Sequence, residues 1–282
     1  MRRVLALAVA VALGGCGSLS QVPAPTSVTP TTTRSTATPT PSSVIVTAET
    51  PTATSRDWQD LGAGSSVRLD SVTLSSGVPA QVTTVRMAQS TGRLRVGYAP
   101  KAPMLVTEWA AAHPTAVALI NGGYFDETST TTSLVVSDGV SSGRSYVGFG
   151  GMLSMSATGA VTLRSLRDRP YSTSEKPRQA VQSFPMLVID GTVPELPNDN
   201  GRYGRRSIVA VDAQSRLLFI TVEGGWTLPE TGTWLAGSGL GIRQALNLDG
   251  GGSTGMVVQA GSYQRVVNAY TRLPIVLWVE AG

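Results

Sequence analysis

The chain has 282 residues, with 22 Lys and Arg against 18 Asp and Glu, a formal charge of +4, one histidine and one cysteine. A single cysteine excludes an internal disulfide and any cysteine-built metal site. The pI near 9.5 is accompanied by no dense Lys/Arg tract, so no nucleic-acid partner is expected.

Met1-Arg2-Arg3 is a short basic start, and Val4 to Leu13 is an unbroken run of ten apolar residues. That run is too short to span a bilayer, which takes about 20, but it has the length of a signal-peptide core. It ends in Leu13-Gly14-Gly15-Cys16, which resembles a bacterial lipobox, where the peptide is cut before a cysteine that is then lipidated. Residues 1–15 are therefore read as a lipoprotein signal peptide and Cys16 as the lipidation site. The expected location is the cell envelope, exported and lipid-anchored to a bacterial membrane. Loss of Arg2 and Arg3 would lower the formal charge from +4 to +2. Residues 16–56 are dominated by Ser, Thr, Pro, Ala and Val. Such a segment buries too little apolar surface to offset its ordering entropy, and it reads as a disordered, semi-extended tether.

Residues 57–282 read as one domain with a substantial core. Val67 to Leu74 alternates with period two, and Ala80 to Met87 and Leu94 to Tyr98 continue the strand pattern. Thr107 to His113 predicts a short helix stopped by Pro114. The only histidine is thus a helix-end residue, which leaves a Ser-His-Asp triad no other candidate base. Ala116 to Ile120 is a continuous apolar run suited to a buried strand. It runs into Asn121-Gly122-Gly123-Tyr124-Phe125-Asp126. Here Asn121 can donate and accept, the glycines leave open space, and Tyr124 or Phe125 could stack on a sugar unless they pack in the core. Asp126 is either a ligand-binding carboxylate or a turn residue.

Hairpins are predicted around Asp138-Gly139 and Ala157-Thr158-Gly159, and residues 164–178 read as a polar, basic loop. Ala180 to Ile189 is a strand in which Gln182 and Ser183 could face a cleft. The clearest hairpin joins Ile208 to Asp212 with Arg216 to Glu223 through Ala213-Gln214-Ser215. Thr231 is the expected N-cap of a short helix towards Leu240. The next strand ends in Leu248-Asp249-Gly250-Gly251-Gly252-Ser253-Thr254. A carboxylate is delivered at a strand end beside a bare-backbone loop, whose amides could hold an anion. The alternative is a glycine-rich turn with a capping Asp.

Taken together, NGGYFD, the Gln182 to Pro185 segment, Arg206-Ser207-Ile208-Val209-Ala210, the VEGG turn, LNLDGGGSTG and the closing Asn268 to Pro274 stretch resemble the phosphodiester glycosidase family, the domain of the mammalian uncovering enzyme. The resemblance covers about residues 80 to 280. Two departures stand out: the family's Arg-Thr-Ala-Ile-Gly reads Arg-Ser-Ile-Val-Ala here, and its Asp before the turn glycine is Glu223. The resemblance implies an α+β fold, a mixed or antiparallel sheet core with few short helices, forming a single catalytic domain. It also implies hydrolysis at a sugar C1 whose leaving group is a phosphomonoester. Asp249 would be base or nucleophile, with Asp126 or Glu223 as second carboxyl. Arg206 would stabilise the leaving phosphate, and Asn121, Gly122, Gly123, Gly250, Gly251, Gly252, Ser253 and Thr254 would hold phosphate or sugar hydroxyls. The partner is a glycosyl phosphodiester or envelope glycan, without cofactor. No metal is part of the reading, although Asp126, Asp249 and carbonyls would supply an all-oxygen Ca²⁺ or Mg²⁺ set if they met. The alternative is a non-catalytic envelope module that binds anionic glycans. On the hydrolase reading the catalytic loops meet at strand ends, so Asn121, Asp126, Arg206 and Asp249 are expected to share one cleft.

Overall fold

A computed structural model describes residues 52–55, 57–74, 77, 79–88, 92–196 and 199–281. The signal segment, Cys16 and the tether up to residue 51 lie outside the described residues. In chain order the strands are β1 (Thr52–Ser55), β2 (Gln59–Gly62), β3 (Ser65–Thr73), β4 (Pro79–Met87) and β5 (Gly92–Tyr98). Helix α1 (Val106–Ala112) precedes β6 (Ala116–Asn121), β7 (Val135–Ser137), β8 (Val140–Ser142), β9 (Gly151–Met155) and β10 (Val161–Ser165). Then come β11 (Gln179–Ser183), β12 (Met186–Ile189), β13 (Gly204–Asp212) and β14 (Leu217–Trp226). Helix α2 (Leu228–Gly237), β15 (Ile242–Asn247), β16 (Met256–Ala260), β17 (Tyr263–Val267) and β18 (Ile275–Ala281) follow.

The strands form three sheets. The largest has the order β1-β3-β4-β14-β13-β15-β12, with β2 also on β3. The second runs β10-β9-β11-β7-β8 and the third β17-β16-β6-β18-β5. The fold is β-rich with few helices, and the pairings between these strands are antiparallel, so the mixed side of the expectation is not used. Thr52–Ser55, read as tether on composition, pair with Ser71 and its neighbours on β3. Extended backbone can satisfy its amides on a sheet edge, a contribution that composition does not register.

The predicted hairpin at 208–223 is the centre of the largest sheet. Its turn is closed by Asp212, whose carboxylate accepts from the Gln214 and Arg216 amides at 3.0 and 2.8 Å and from Arg216 Nε at 2.6 Å. Both faces of this hairpin are covered, with alternate residues going to different cores. Val209, Leu217 and Phe219 join the main core with Val85, Ile120, Leu153, Val181 and Leu246. Ile208, Ala210, Leu218 and Ile220 face the other way, against Trp226, Trp234 and Leu235 under α2. The run at β6 is continuous for the same reason. Ala118 and Ile120 enter the main core, while Leu119 packs with Val106, Trp109 and Trp278 beneath α1.

Helix α2 starts earlier than the sequence suggests. Its N-cap is Thr227, whose hydroxyl accepts from the Glu230 amide while the Glu230 carboxylate accepts from the Thr227 amide at 2.8 Å. This reciprocal pair is a capping box. Thr231 lies one turn inside, buried, donating to the Thr227 carbonyl at 2.7 Å. The polar 164–178 segment is tied down by buried Arg164, which donates to both Glu175 carboxylate oxygens at 2.7 Å. His113 caps the end of α1, stacked on Trp278 at 4.0 Å.

Candidate functional site

Strands β6 and β15 end side by side at one edge of the core, and the loops that follow them lock together. The Asp249 amide donates to the Gly122 carbonyl at 3.1 Å, and the Leu248 amide to the Ser207 carbonyl at 2.8 Å. Asn121 is the fastener between them. Its Nδ2 donates to the Asp249 carbonyl at 2.7 Å, and its Oδ1 accepts from Ser207 Oγ at 2.6 Å and the Gly255 amide at 3.1 Å. With 1% of its surface exposed, Asn121 holds the loop and is not itself open to a ligand.

Past this junction the chain opens a cleft of about 810 Å³, a size that accommodates a ligand larger than one sugar ring. Asp249, Gly250, Gly251, Arg206 and Tyr124 line it. Burial pushes the Asp249 carboxyl above its usual range, against the opposing pull of hydrogen bonds from the Ser253 side chain and the Gly250 backbone. Arg206 is held by main-chain oxygens rather than by a carboxylate. Its Nε donates to the Trp226 carbonyl at 2.8 Å and one terminal nitrogen donates to the Arg202 carbonyl. Burial lowers its proton affinity, and the nearest opposing influences are Tyr124, Asp199 and Glu230. An arginine with its donors oriented and no ion pair among the described residues is set up for an anion. The Tyr124 hydroxyl accepts from Asn247 Nδ2 at 2.8 Å and donates to the Phe184 carbonyl at 3.2 Å. Burial first, then the Asp249 charge, raises its pKa, so Tyr124 stays a neutral phenol.

The predicted residues separate into three groups. Asp249, Arg206, Gly250 and Gly251 line the cleft. Gly251 takes φ +59°, a conformation glycine adopts without strain. Ser253 is buried behind Asp249, and Gly252 is exposed, its carbonyl taking the Tyr270 amide at 2.7 Å. Thr254 is fully buried, and its hydroxyl has no hydrogen-bond partner among the described residues.

Asn121, Gly122 and Gly123 form the second group, behind the cleft. A Cβ on Gly122 would lie 2.3 Å from Ile275, and one on Gly123 would lie 2.5 Å from the Gln182 carbonyl. These glycines admit neighbouring chain, not a ligand.

Asp126 and Glu223 form the third group and correct the expectation, since neither lines the cleft. Exposed Asp126 closes its own turn, with Oδ1 accepting from Thr128 Oγ1 at 2.6 Å and from the Thr128 and Thr130 amides at 2.9 Å. Those bonds, the Thr128 hydroxyl first, hold its carboxyl below the usual range. Glu223 is paired with Arg265 at 2.8 Å, which also donates to Thr83 at 2.8 Å. On β14 it follows Val222, the register partner of Arg206, and itself pairs with Gln81 of β4. Phe125 packs against the main core. Gln182, 0% exposed, takes the Tyr146 amide at 2.9 Å and donates to Ser145 at 2.8 Å.

Several cleft residues carried no signal in the sequence. Phe149, Arg167, Arg202, Asp199 and Glu195 come from loops without periodicity, and Phe184 from the Gln182 to Pro185 segment, whose pattern gives its ring no role. The exposure of Phe149 and Phe184, at 47% and 39%, is visible only once the chain is folded.

A carboxylate at a strand end, a glycine turn and an oriented arginine thus meet in one cleft of a β-rich domain. The family model for phosphodiester glycosidase matches residues 114–274, more than half of the chain, and the chain belongs to that family. Among solved structures it is similar to the catalytic domain of zebrafish N-acetylglucosamine-1-phosphodiester alpha-N-acetylglucosaminidase, auto-inhibited by its pro-peptide. That match has 19% identity and a TM-score of 0.59, covering 82% of this chain and 89% of that one. It is also similar to a hypothetical protein from Synechocystis, with 15% identity and TM-score 0.57, over 83% of this chain and 65% of that one. A protein of Burkholderia pseudomallei K96243 described as exported matches with 12% identity and TM-score 0.59, over 82% and 97%. These likenesses carry the fold. No curated protein sequence matches the chain. Among the described residues no helix is long and apolar enough to cross a membrane.

Proposed function

We propose that this protein is an exported hydrolase that cleaves a sugar from a glycosyl phosphodiester, at the C1–O–phosphate linkage, in cell-envelope glycans. Residues 57–282 are its catalytic domain, and Cys16 is its membrane anchor through lipidation. The observation that carries this reading is that Asp249 and Arg206 line one cleft in a member of the phosphodiester glycosidase family.

The chemistry follows from the leaving group. Glycoside hydrolysis ordinarily needs two carboxyl groups, one to protonate the departing oxygen. A phosphomonoester leaves as a stable anion and needs charge stabilisation more than a proton. Arg206 supplies that stabilisation where charge develops as the C1–O bond breaks and its electron pair goes to the phosphate oxygen. Asp249 then acts without Asp126 or Glu223, either taking a proton from the water that attacks C1 or attacking C1 itself before water releases the sugar. Either role needs the carboxylate. Tyr124 remains protonated and can hydrogen-bond to substrate beside it. The zebrafish relative, by its name, removes N-acetylglucosamine from a phosphodiester, so this sugar heads the panel to be tested.

The absence of Asp126 and Glu223 from the cleft favours a second reading, a module that binds anionic glycans without turnover. The deciding experiment offers α- and β-glycosyl phosphodiesters to the protein and to Asp249→Asn, and measures free sugar. Release by the wild type that is lost in the variant supports the hydrolase. Binding without release in either protein moves the assignment to the binding module.

A further inference from the structure

The cleft extends beyond the Asp249–Arg206 centre along a row of aromatic rings that the chemistry above does not use. Tyr124 sits close enough to Asp249 and Arg206 to feel both charges. Its ring contacts Phe184 at 4.6 Å between centroids, and Phe184 contacts Phe149 at 5.8 Å. Tyr146 braces both phenylalanines, at 5.6 Å from Phe184 and 4.6 Å from Phe149. The row ends at a second cation. The Leu166 amide donates to the Gly150 carbonyl at 3.0 Å, which sets Arg167 beside Phe149 at the cleft wall. Arg167 is exposed and makes no ion pair among the described residues.

Two features make this a built surface rather than a loose loop. Buried Gln182 holds the 143–150 loop through Ser145 and the Tyr146 amide. Gly150 lies so close to the Ser183 carbonyl that a Cβ there would approach it to 2.6 Å. Large aromatic faces kept open at a pinned position cost solvation, and such faces commonly mark binding sites.

We infer that Arg167 and the Phe149–Phe184 rings form a second subsite for a further sugar–phosphate unit, so that the substrate is a glycan of repeating sugar phosphates rather than a single capped phosphate. The order of groups along the cleft matches such a chain. Arg206 takes the phosphate at the scissile bond, the rings take a sugar face, and Arg167 takes the next phosphate. A lipid tail fits less well, because the same cleft also carries Arg167, Arg202, Glu195 and Asp199. The inference deepens the proposed function and rests on its placing of phosphate at Arg206.

The test is equilibrium binding by calorimetry, with the full chain carrying Asp249→Asn to prevent turnover. One probe is N-acetylglucosamine 1-(methyl phosphate). The other is the corresponding two-unit sugar phosphate with a terminal methyl phosphate. The longer probe should bind more tightly. Arg167→Gln should remove roughly two- to fivefold of its affinity, the range of an exposed ion pair. Phe149→Ala should remove roughly two- to tenfold, as for an aromatic contact. Neither change should alter binding of the short probe. Equal affinity of the two probes, failure of both to bind, or equal weakening of both by the two variants would overturn the subsite. Sugar release by the wild type is scored separately. Length-dependent binding without release would overturn the hydrolase and keep the subsite.

Discussion

Two stretches of this chain look alike and do different work. NGGYFD after β6 and NLDGGGS after β15 each place an amide side chain, glycines and a carboxylate at a strand end. At the first, the glycines are filled by Ile275 and by the Gln182 carbonyl, the Asn is buried, and the Asp closes an exposed turn. At the second, the Asp is held in a cleft wall and Gly251, two residues on, takes a positive φ. The composition of a strand-end loop therefore does not identify a site. Where the carboxylate's hydrogen bonds go separates the two loops, and so does the space at Gly251 and Gly252, whereas Gly250 is packed like the first pair, a Cβ there lying 2.8 Å from the Arg205 carbonyl. The two are also coupled, because Asn121 of the first donates to the Asp249 carbonyl of the second.

The largest effect expected from breaking the contrast is at Asp249. Asp249→Asn should lower sugar release by roughly 10³- to 10⁴-fold, as when a central catalytic group is removed. The same change should raise stability at neutral pH. Burial raises the folded-state pKa of this carboxyl, so its stabilising, protonated form is complete below the unfolded value and is lost as pH rises through the folded one. The asparagine variant escapes that loss, and its advantage in Tm should vanish in acid. Activity runs the other way. It needs the carboxylate, so kcat/KM should fall as pH drops through the raised pKa, at higher pH than an ordinary aspartate would give. A variant with full turnover, or one less stable than wild type at pH 7, would remove Asp249 from the centre.

Arg206 comes next. Arg206→Lys keeps the charge but loses the fork that spans the Trp226 and Arg202 carbonyls and the cleft. Turnover should fall by roughly 10²-fold, the scale for losing one oriented donor at a developing anion. An unchanged kcat would mean that the leaving phosphate lies elsewhere.

The glycines give the direct comparison of the two loops. Gly122→Ala should destabilise by about 1–3 kcal/mol through overpacking against Ile275. Gly252→Ala, whose Cβ would meet nothing nearer than Thr271 at 3.7 Å, should stay within about 0.5 kcal/mol. Thermal denaturation of the pair checks both, and similar losses in the two would erase the distinction between packed and open glycines.

How far the sequence could be read follows from the same physics. Hydrophobic period placed the strands of the central hairpin, because burial on alternate faces is written in local residue order, whereas β6 showed only as a continuous apolar run, which periodicity does not separate from a helix. The Asp249 loop and Arg206 were legible through motifs whose chemistry is local. Asp126 was not, because its competition between turn and cleft is decided by Thr128 and Thr130, which satisfy it within four residues. Thr231 lost the cap to Thr227 because Glu230 completes the capping box only from there. Phe149 and Arg167 were silent, since a loop residue reads the same whether it packs or stays open, and Phe184 sat in a predicted strand whose pattern does not register an exposed ring.

The smallest effects fall on the two carboxylates outside the cleft, and they test the comparison from its quiet side. Glu223→Gln breaks a half-buried pair with Arg265 and should cost up to about 1 kcal/mol of stability. Turnover should stay within roughly twofold, because nothing in that pair reaches Asp249. Asp126→Asn should do less still. Asparagine keeps an oxygen that can accept from the Thr128 and Thr130 amides, and the side chain is exposed. Its effect on turnover should also be within roughly twofold. If instead Asp126→Asn abolished sugar release as Asp249→Asn does, the turn around Thr128 would have to open in the working enzyme and bring a second carboxylate to the sugar. Hydrolysis would then follow the two-carboxylate course, and Asp249 could no longer be acting without Asp126.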